Sequence, residues 1–359
     1  IPILIVPYYS VIGGWVIKYL VEYVKGNGHA LASSDYFSTF ISNGVSTELC
    51  FIAFALLTLF IVFAGVKNGI ERVSKIMMPI LVVLSCVITV YSVTRPGALE
   101  GVKYFLVPNF KNFSWMTVVT AMGQMFYSLS IAMGILITFG SYTEKEVSIE
   151  NSTENVEVFD TAIAIMAGLM IIPAVFAFSN GNMENLNAGP SLMFITIPKV
   201  FDSMGLGTLI GILFFVLVLF AALTSSIALT ECAVSTFQDE LGWSRHKSVI
   251  ILGFIMLVLG SLSSLGYGPL ASIQIIGMQF LDFFDFLTNS VMMPISATCV
   301  CLLVSKVIGV DKIAKEVKSH NNPFKREKIF NFMIKYICPI FAAIILLSSV
   351  ANAFGIIKM

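Results

Sequence analysis

The sequence has few charged residues: lysine, arginine, aspartate and glutamate make up 12% of its 359 positions, against roughly 25% in an ordinary soluble domain. The 21 basic and 21 acidic residues cancel, and there is no basic tail or basic stripe, so a nucleic-acid partner is not indicated. Hydrophobic residues account for 57% of the chain. This balance predicts an integral membrane protein that has the lipid bilayer as its surroundings.

The sequence motifs of enzymes and metal sites are also missing. The three histidines, His29, His246 and His320, lie in predicted loops, and no H-E-x-x-H, G-x-S-x-G or phosphate-binding P-loop pattern occurs. The six cysteines lie in apolar runs without paired spacing, so neither a disulfide framework nor a zinc site is indicated. The sequence therefore predicts neither an enzyme nor a protein with an organic cofactor.

Long apolar stretches make up most of the sequence. Runs of about 18 or more largely apolar residues are typical of transmembrane helices. Nine such runs lie near 2–24, 48–66, 75–95, 116–141, 157–180, 205–237, 248–266, 277–306 and 330–357. Fourteen lysines and arginines fall on one side of this topology and six on the other, which predicts that the first side is cytoplasmic. Because the chain begins inside an apolar run, we expect at least one earlier helix to be missing from it.

Polar side chains interrupt the apolar pattern in four of the predicted spans. Any single hydroxyl in such a helix is most simply a packing residue. Clustered hydroxyls near the centres of two spans are instead typical of the broken helices that bind ions and substrates in secondary transporters, and their oxygens suit a hard cation such as sodium. The polar residues are Gln124, Tyr127, Ser128 and Ser130 of GQMFYSLSIAMG, Asp160, Thr224, Ser225 and Ser226, and Asp282 and Asp285.

The acidic residues among them have more than one interpretation. Asp160 lies about one turn inside its span, so its side chain could serve a site at membrane depth or reach back to the interface. Asp282 and Asp285 share a helix face at the outer end of their span, where a gate and an interfacial cap are equally reasonable. Asp239 and Glu240 are most simply a solvated helix end.

Five segments, in order along the chain, resemble the neurotransmitter:sodium symporter family. GQMFYSLSIAMG followed by ITFGSY resembles the broken sixth helix of that family, and FAALTSSIAL resembles the eighth. The others are YYSVIGGW, GVKNGIERVSKIMMP and AGPSLMFITIPKVF. The resemblance implies an all-α polytopic membrane protein with the inverted-repeat transporter fold of the leucine-transporter type, in which the nine spans are family helices three to eleven. It also implies that residues 1–359 form a single transmembrane transporter domain without family helices one and two.

The resemblance further implies two sodium sites, an amino-acid pocket and a set of gates. The first sodium site would use Ser128 and Asp160, and the second would use the Ala221 carbonyl with the hydroxyls of Thr224 and Ser225. A carboxylate at position 160 would supply the negative charge that chloride provides in some relatives, so chloride dependence is not expected. The substrate-binding residues would be Ile5, Tyr9, Tyr127, Ser130, Met133, Ser225 and Leu229, and the gating residues would be Tyr9, Gln124, Tyr127, Asp239 and Asp285.

On this basis the chain is expected to be a multi-pass protein of the cell membrane. It would carry a small, hydrophobic L-amino acid together with sodium by alternating access. Two alternatives stay open at this level: a truncated fragment that transports nothing, and a membrane sensor or scaffold that binds an amino acid without transporting it. The sequence leaves the identity of the amino acid and the oligomeric state open.

Overall fold

The structure, a computed structural model, describes residues 1–179, 189–319 and 323–354, and in this part of the chain it contains helices and no β-strand. The α-helices are α1 (Pro2–Val24), α2 (Gly28–Leu31), α3 (Tyr36–Ser42), α4 (Gly44–Phe63), α5 (Arg72–Val93), α6 (Ala98–Leu106), α7 (Trp115–Ser128), α8 (Ile135–Ser141), α9 (Ile149–Ser179), α10 (Ile197–Asp202), α11 (Gly207–Leu241), α12 (Arg245–Leu265), α13 (Phe280–Asp285), α14 (Met293–Leu302), α15 (Val310–Val317), α16 (Glu327–Phe332) and α17 (Cys338–Ala353). Wider π-helical turns occupy Val66–Glu71, Leu192–Thr196, Phe286–Met292, Leu303–Ile308 and Met333–Ile337, and a 3-10 turn occupies Phe110–Asn112.

Eight continuous helical stretches in the described residues are long and apolar enough to cross a membrane. They are Pro2–Val24, Gly44–Phe63, Val66–Val93, Ile149–Ser179, Gly207–Leu241, Arg245–Leu265, Phe280–Ile308 and Glu327–Ala353. The remaining predicted span, 116–141, is not one continuous helix. It consists of α7 and α8 separated by residues 129–134, which is the broken helix that the family resemblance implied.

The chain forms two compact units. The first unit contains Ile1–Ile5, Lys111–Thr161 and Asp282–Met359, and the second contains Val6–Phe110 and Ala162–Leu281. Within the first unit α17 packs on α14 and α7, and within the second α11 packs on α4, α5 and α12. In each unit, therefore, one helix packs against two or more of the others.

Aromatic side chains fill the core of the second unit. Trp15, Tyr19 and Tyr23 of α1 are at most 2% exposed, and their rings lie against those of Phe194 and Phe215. The Tyr19 hydroxyl donates a hydrogen bond of 2.7 Å to the Phe194 carbonyl, so this buried phenol has the partner that its burial requires. The sequence places these aromatics on one apolar helix, and the packing joins them to segments about 175 residues away.

A charged pair is buried in the second unit. Glu231 of α11 is fully buried, and its carboxylate accepts two hydrogen bonds, of 2.6 and 3.0 Å, from the guanidinium of Arg245. The same guanidinium donates to the Val62 carbonyl near the end of α4, at 2.6 and 3.0 Å. The Gly65 N–H also donates to this carbonyl, at 3.0 Å, so Arg245 adds a second hydrogen bond at the end of α4 while it neutralises Glu231.

The acidic start of α9 is docked on the segment that leads into α16, within the first unit. The Glu150 carboxylate accepts hydrogen bonds from the backbone N–H groups of Lys325 and Arg326, at 2.9 and 3.0 Å. The Arg326 side chain pairs with Glu154 and Glu157, at 3.1 and 3.2 Å. Residues three and four positions apart share a helix face, so one face of α9 makes all of these contacts.

We expect Arg245→Met to lower the free energy of unfolding by about 3–5 kcal/mol, because it leaves the Glu231 carboxylate buried without a partner. Lys75→Met is the control, since Lys75 forms an exposed ion pair with Glu71 at 2.6 Å whose loss should change stability little. The measurement is the unfolding of each purified protein in detergent under rising temperature. Equal destabilisation by the two substitutions would contradict the role given to the buried pair.

Candidate functional site

The helix interruption at residues 129–134 lies in the centre of the fourth predicted span. Ser114 caps α7, because its hydroxyl accepts a hydrogen bond from the Thr117 N–H, and α7 then runs to Ser128. The next residues leave the helix: Ser130, Ala132 and Gly134 have φ values of 53°, 64° and 88°. A left-handed conformation costs a residue with a Cβ about 1–2 kcal/mol. The interruption is therefore a strained feature that the surrounding structure must hold in place.

The first unit brings Ser128 and Asp160 into contact. The Ser128 hydroxyl, at the last residue of α7, donates a hydrogen bond of 2.6 Å to the Asp160 carboxylate on α9. Ser128 is exposed and Asp160 is half-buried, so their oxygens are not sealed in a packed core. A hydroxyl and a carboxylate at this separation are oxygen ligands of the kind that hard cations prefer.

The other predicted residues of the first unit differ in environment. Ile5 and Met133 are buried, at 0% and 5% exposure, whereas Tyr127 and Ser130 are half-buried. Gln124 is exposed on α7. Asp285 is exposed at the end of α13, where its carboxylate accepts a hydrogen bond of 2.6 Å from the Asn289 amide one turn later. This contact gives the predicted gating carboxylate a partner on its own helical segment.

In the second unit, the predicted sodium ligands lie within one turn of α11. The Ala221 carbonyl accepts hydrogen bonds of 3.0 Å from the hydroxyls of both Thr224 and Ser225. The Ser225 side chain is also hydrogen-bonded to the hydroxyl of Tyr9. Bonding back to the preceding turn is common for hydroxyls in membrane helices, so the Ala221 contacts alone suit a packing residue as well as an ion ligand. The additional contact with Tyr9 links α11 to α1.

The neighbouring hydroxyl, Ser226, has a different role. It is fully buried and accepts a hydrogen bond of 3.1 Å from Thr58 of α4, so it joins two helices. Further along α11, Leu229 is buried at 4% exposure and Asp239 is exposed near the end of the helix. The polar cluster noted in the sequence at 224–226 thus separates into a packing contact and two hydroxyls beside the Ala221 carbonyl.

Among the carboxylates inside the spans that sequence reasoning missed, two join neighbouring helices. Glu231 pairs with Arg245 as described above, and Glu48 of α4 accepts a hydrogen bond of 2.5 Å from the Ser261 hydroxyl of α12. Both lie in apolar runs, where a carboxylate is costly without a partner, and that cost was the available signal. In residues 1–179, 189–319 and 323–354, no three His, Cys, Asp or Glu side chains are grouped to hold a metal ion.

Comparisons with known proteins agree with this architecture. The model of the sodium:neurotransmitter symporter family matches residues 22–356. The chain is 34% identical over 359 residues to an uncharacterized sodium-dependent transporter of Bacillus subtilis, YhdH, covering 99% of this chain and 78% of that protein. It is 30% identical to an uncharacterized sodium-dependent transporter of Haemophilus influenzae, covering 96% of this chain and 76% of that protein. The crystal structure of MhsT in complex with L-phenylalanine matches with a TM-score of 0.83 and 36% identity, over 97% of this chain and 79% of that one.

The helix interruption can be tested with two glycines of the same motif. We expect Gly134→Ala to lower the free energy of unfolding by about 1–2 kcal/mol, because it puts a Cβ on a residue at φ 88°. Gly123→Ala is the control: Gly123 lies inside α7, and a Cβ there meets nothing within 4 Å, so stability should be unchanged or higher. Thermal unfolding in detergent compares the two, and an equal loss for both would argue against a fixed left-handed Gly134.

Proposed function

The chain belongs to the sodium:neurotransmitter symporter family, and on that premise we propose that it imports a hydrophobic L-amino acid together with sodium ions. It is a multi-pass protein of the cell membrane. The observation that carries the proposal is the interrupted fourth span, with Ser128 at one edge of the break and 2.6 Å from Asp160. Irregular backbone at membrane depth is tolerated where it lines a cavity or a site, which is where secondary transporters bind their ions and substrates.

In this proposal two sets of oxygen atoms bind sodium. The first set is the Ser128 hydroxyl and the Asp160 carboxylate, and the second is the Ala221 carbonyl with the Thr224 and Ser225 hydroxyls. Hydroxyl and carbonyl oxygens suit a hard cation that must also be released. To bind the ion, the two hydroxyls of α11 rotate their protons away from the Ala221 carbonyl, so that their lone pairs face the cation. The contacts of 3.0 Å within this turn support a set of ligands that needs little rearrangement.

A link between ion and substrate follows from the contact between Ser225 and Tyr9. The Tyr9 hydroxyl is hydrogen-bonded to Ser225, whose own hydroxyl donates to the Ala221 carbonyl. When sodium takes the lone pairs of Ser225, the Tyr9 hydroxyl becomes free to donate to a substrate carboxylate. The attraction between that carboxylate and a nearby sodium ion is stronger in a low-dielectric pocket than in water, which makes their binding cooperative.

The hydrophobic character of the substrate rests on three apolar side chains. Ile5, Met133 and Leu229 are each at most 5% exposed and carry no charge that would pair with a polar substrate side chain. The match to MhsT in complex with L-phenylalanine supports the same class of substrate. The remaining proposed substrate-binding residues are Tyr9, Tyr127, Ser130 and Ser225, and the proposed gating residues are Tyr9, Gln124, Tyr127, Asp239 and Asp285.

Transport of labelled L-phenylalanine into proteoliposomes tests the function. We expect uptake to require an inward sodium gradient and to stop when choline replaces sodium. Replacing chloride by gluconate should leave uptake unchanged, because the Asp160 carboxylate supplies the negative charge beside the first sodium. Uptake that persists in choline would refute sodium coupling. Sodium-dependent binding without uptake would instead indicate a sensor or scaffold.

Substitutions in α11 test the second sodium site. We expect Thr224→Ala and Ser225→Ala each to raise the sodium concentration for half-maximal uptake at least about tenfold, because each removes one oxygen ligand of a charged ion. Ser226→Ala is the matched control, since its hydroxyl lies in the same turn but contacts Thr58. It should leave the sodium dependence unchanged. Unaltered sodium dependence in the first two variants would remove both residues from the site.

A further inference from the structure

A side chain from a distant part of the sequence contacts the backbone of the helix interruption. The Ser296 hydroxyl of α14 donates a hydrogen bond of 3.0 Å to the Ala132 carbonyl, across 164 positions of the chain and within the first unit. Ser296 is half-buried, so solvent competes for this bond only in part. Ser296 was not among the residues that the sequence or the family resemblance singled out.

The Ala132 peptide has a particular need for such a partner. Between α7 and α8 the regular ladder of backbone hydrogen bonds is broken, and carbonyls in a break must be satisfied by side chains, water or ligands. Ala132 is also held at φ 64°, where its Cβ is unfavourable and where glycine would adopt the conformation freely. Strained conformations of this kind persist only when neighbouring groups fix them. Ser296 is a neighbouring group of this kind.

The position of Ser296 depends on how α14 begins. The π-helical turns at Phe286–Met292 precede α14, and Pro294 lies in its first turn. A π-helical turn shifts the register of the side chains that follow it, and such turns are frequent at functional sites. The helix α14 also packs on α17. The hydroxyl of Ser296 is therefore presented from a supported helix rather than from a mobile loop.

We propose that Ser296 is a positioning residue for transport. Its hydrogen bond fixes the Ala132 peptide and thereby the path of the chain between Ser128, the proposed sodium ligand, and Met133, the proposed wall of the substrate pocket. Thr298 lies two residues further along α14 and differs from Ser296 in its hydrogen bond. Its hydroxyl donates to the Pro294 carbonyl of its own helix, and not to the interruption. The inference rests on the proposed function, but the hydrogen bond can be tested separately from it.

The first experiment measures binding of labelled L-phenylalanine to the purified full chain as sodium is varied. We expect Ser296→Ala to raise the sodium concentration for half-maximal binding about threefold to tenfold, as the loss of one hydrogen bond predicts. Ser296→Thr, which keeps the hydroxyl, should bind like the unsubstituted chain, and so should the control Thr298→Ala. In an Ala132→Gly background the effect of Ser296→Ala should shrink, because glycine adopts the left-handed conformation without strain.

The second experiment measures amide hydrogen exchange of residues 129–134 in the same variants. The N–H groups of Leu129, Ser130 and Ile131 donate to carbonyls of the last turns of α7, at Met125, Tyr127 and Phe126. Exchange should be faster in Ser296→Ala than in Thr298→Ala, because these hydrogen bonds open more often when the segment loses the contact with Ser296. Unchanged exchange and unchanged sodium dependence in Ser296→Ala would overturn the proposal. Equal defects in Ser296→Ala and Ser296→Thr would also overturn it, since packing rather than the hydroxyl would then matter. If the unsubstituted chain binds no amino acid in sodium, the proposed function fails, and the exchange comparison still decides whether Ser296 holds the segment.

Discussion

A backbone carbonyl that leaves its helix inside a membrane must find a partner within the protein, and this requirement governs the fourth span. The interruption at residues 129–134 removes several peptide groups from the regular helical ladder. A hydroxyl from α14 meets one of them, at Ala132, and α17 supports α14 in turn. The strained segment therefore depends on two helices that lie more than 150 positions further along the sequence. The local sequence alone would not hold the helix interrupted at these residues.

The same requirement applies to charges. In the second unit, the buried Glu231 carboxylate is paired with a guanidinium that also donates to the carbonyl of Val62. In the first unit, Glu150 accepts from two backbone N–H groups ahead of α16. Placing a charge in or beside hydrocarbon is costly, so each of these groups is held by a defined partner rather than by water. Such pairs restrict which helix ends can lie together.

The hydroxyls of α11 show how one short sequence can contain two roles. Ser225 and Ser226 are neighbours, yet one contacts Tyr9 and the Ala221 carbonyl while the other contacts Thr58. Successive helical residues point about 100° apart, so adjacent serines face different neighbours. In the proposed mechanism only the first of them responds to sodium. Because Ser225 also contacts Tyr9, sodium binding at Ser225 acts directly on the residue proposed to hold the substrate carboxylate.

The sequence by itself determined that this is a helical membrane protein, because the length and apolarity of a span are local properties. Eight predicted spans correspond to continuous helices, and the order of the motifs indicated the family and the broken fourth span. Among the candidate residues, the family resemblance grouped Ala221, Thr224 and Ser225, and their spacing within one helical turn accounts for the hydrogen bonds among them. Only the tertiary structure decided that Ser296 meets Ala132 and that Arg245 meets Glu231. Ser296 and Ala132 are far apart in the sequence, and Arg245 and Glu231 are separated by a turn between two helices. Helix packing brings each pair within hydrogen-bonding distance, and no local sequence pattern encodes that packing.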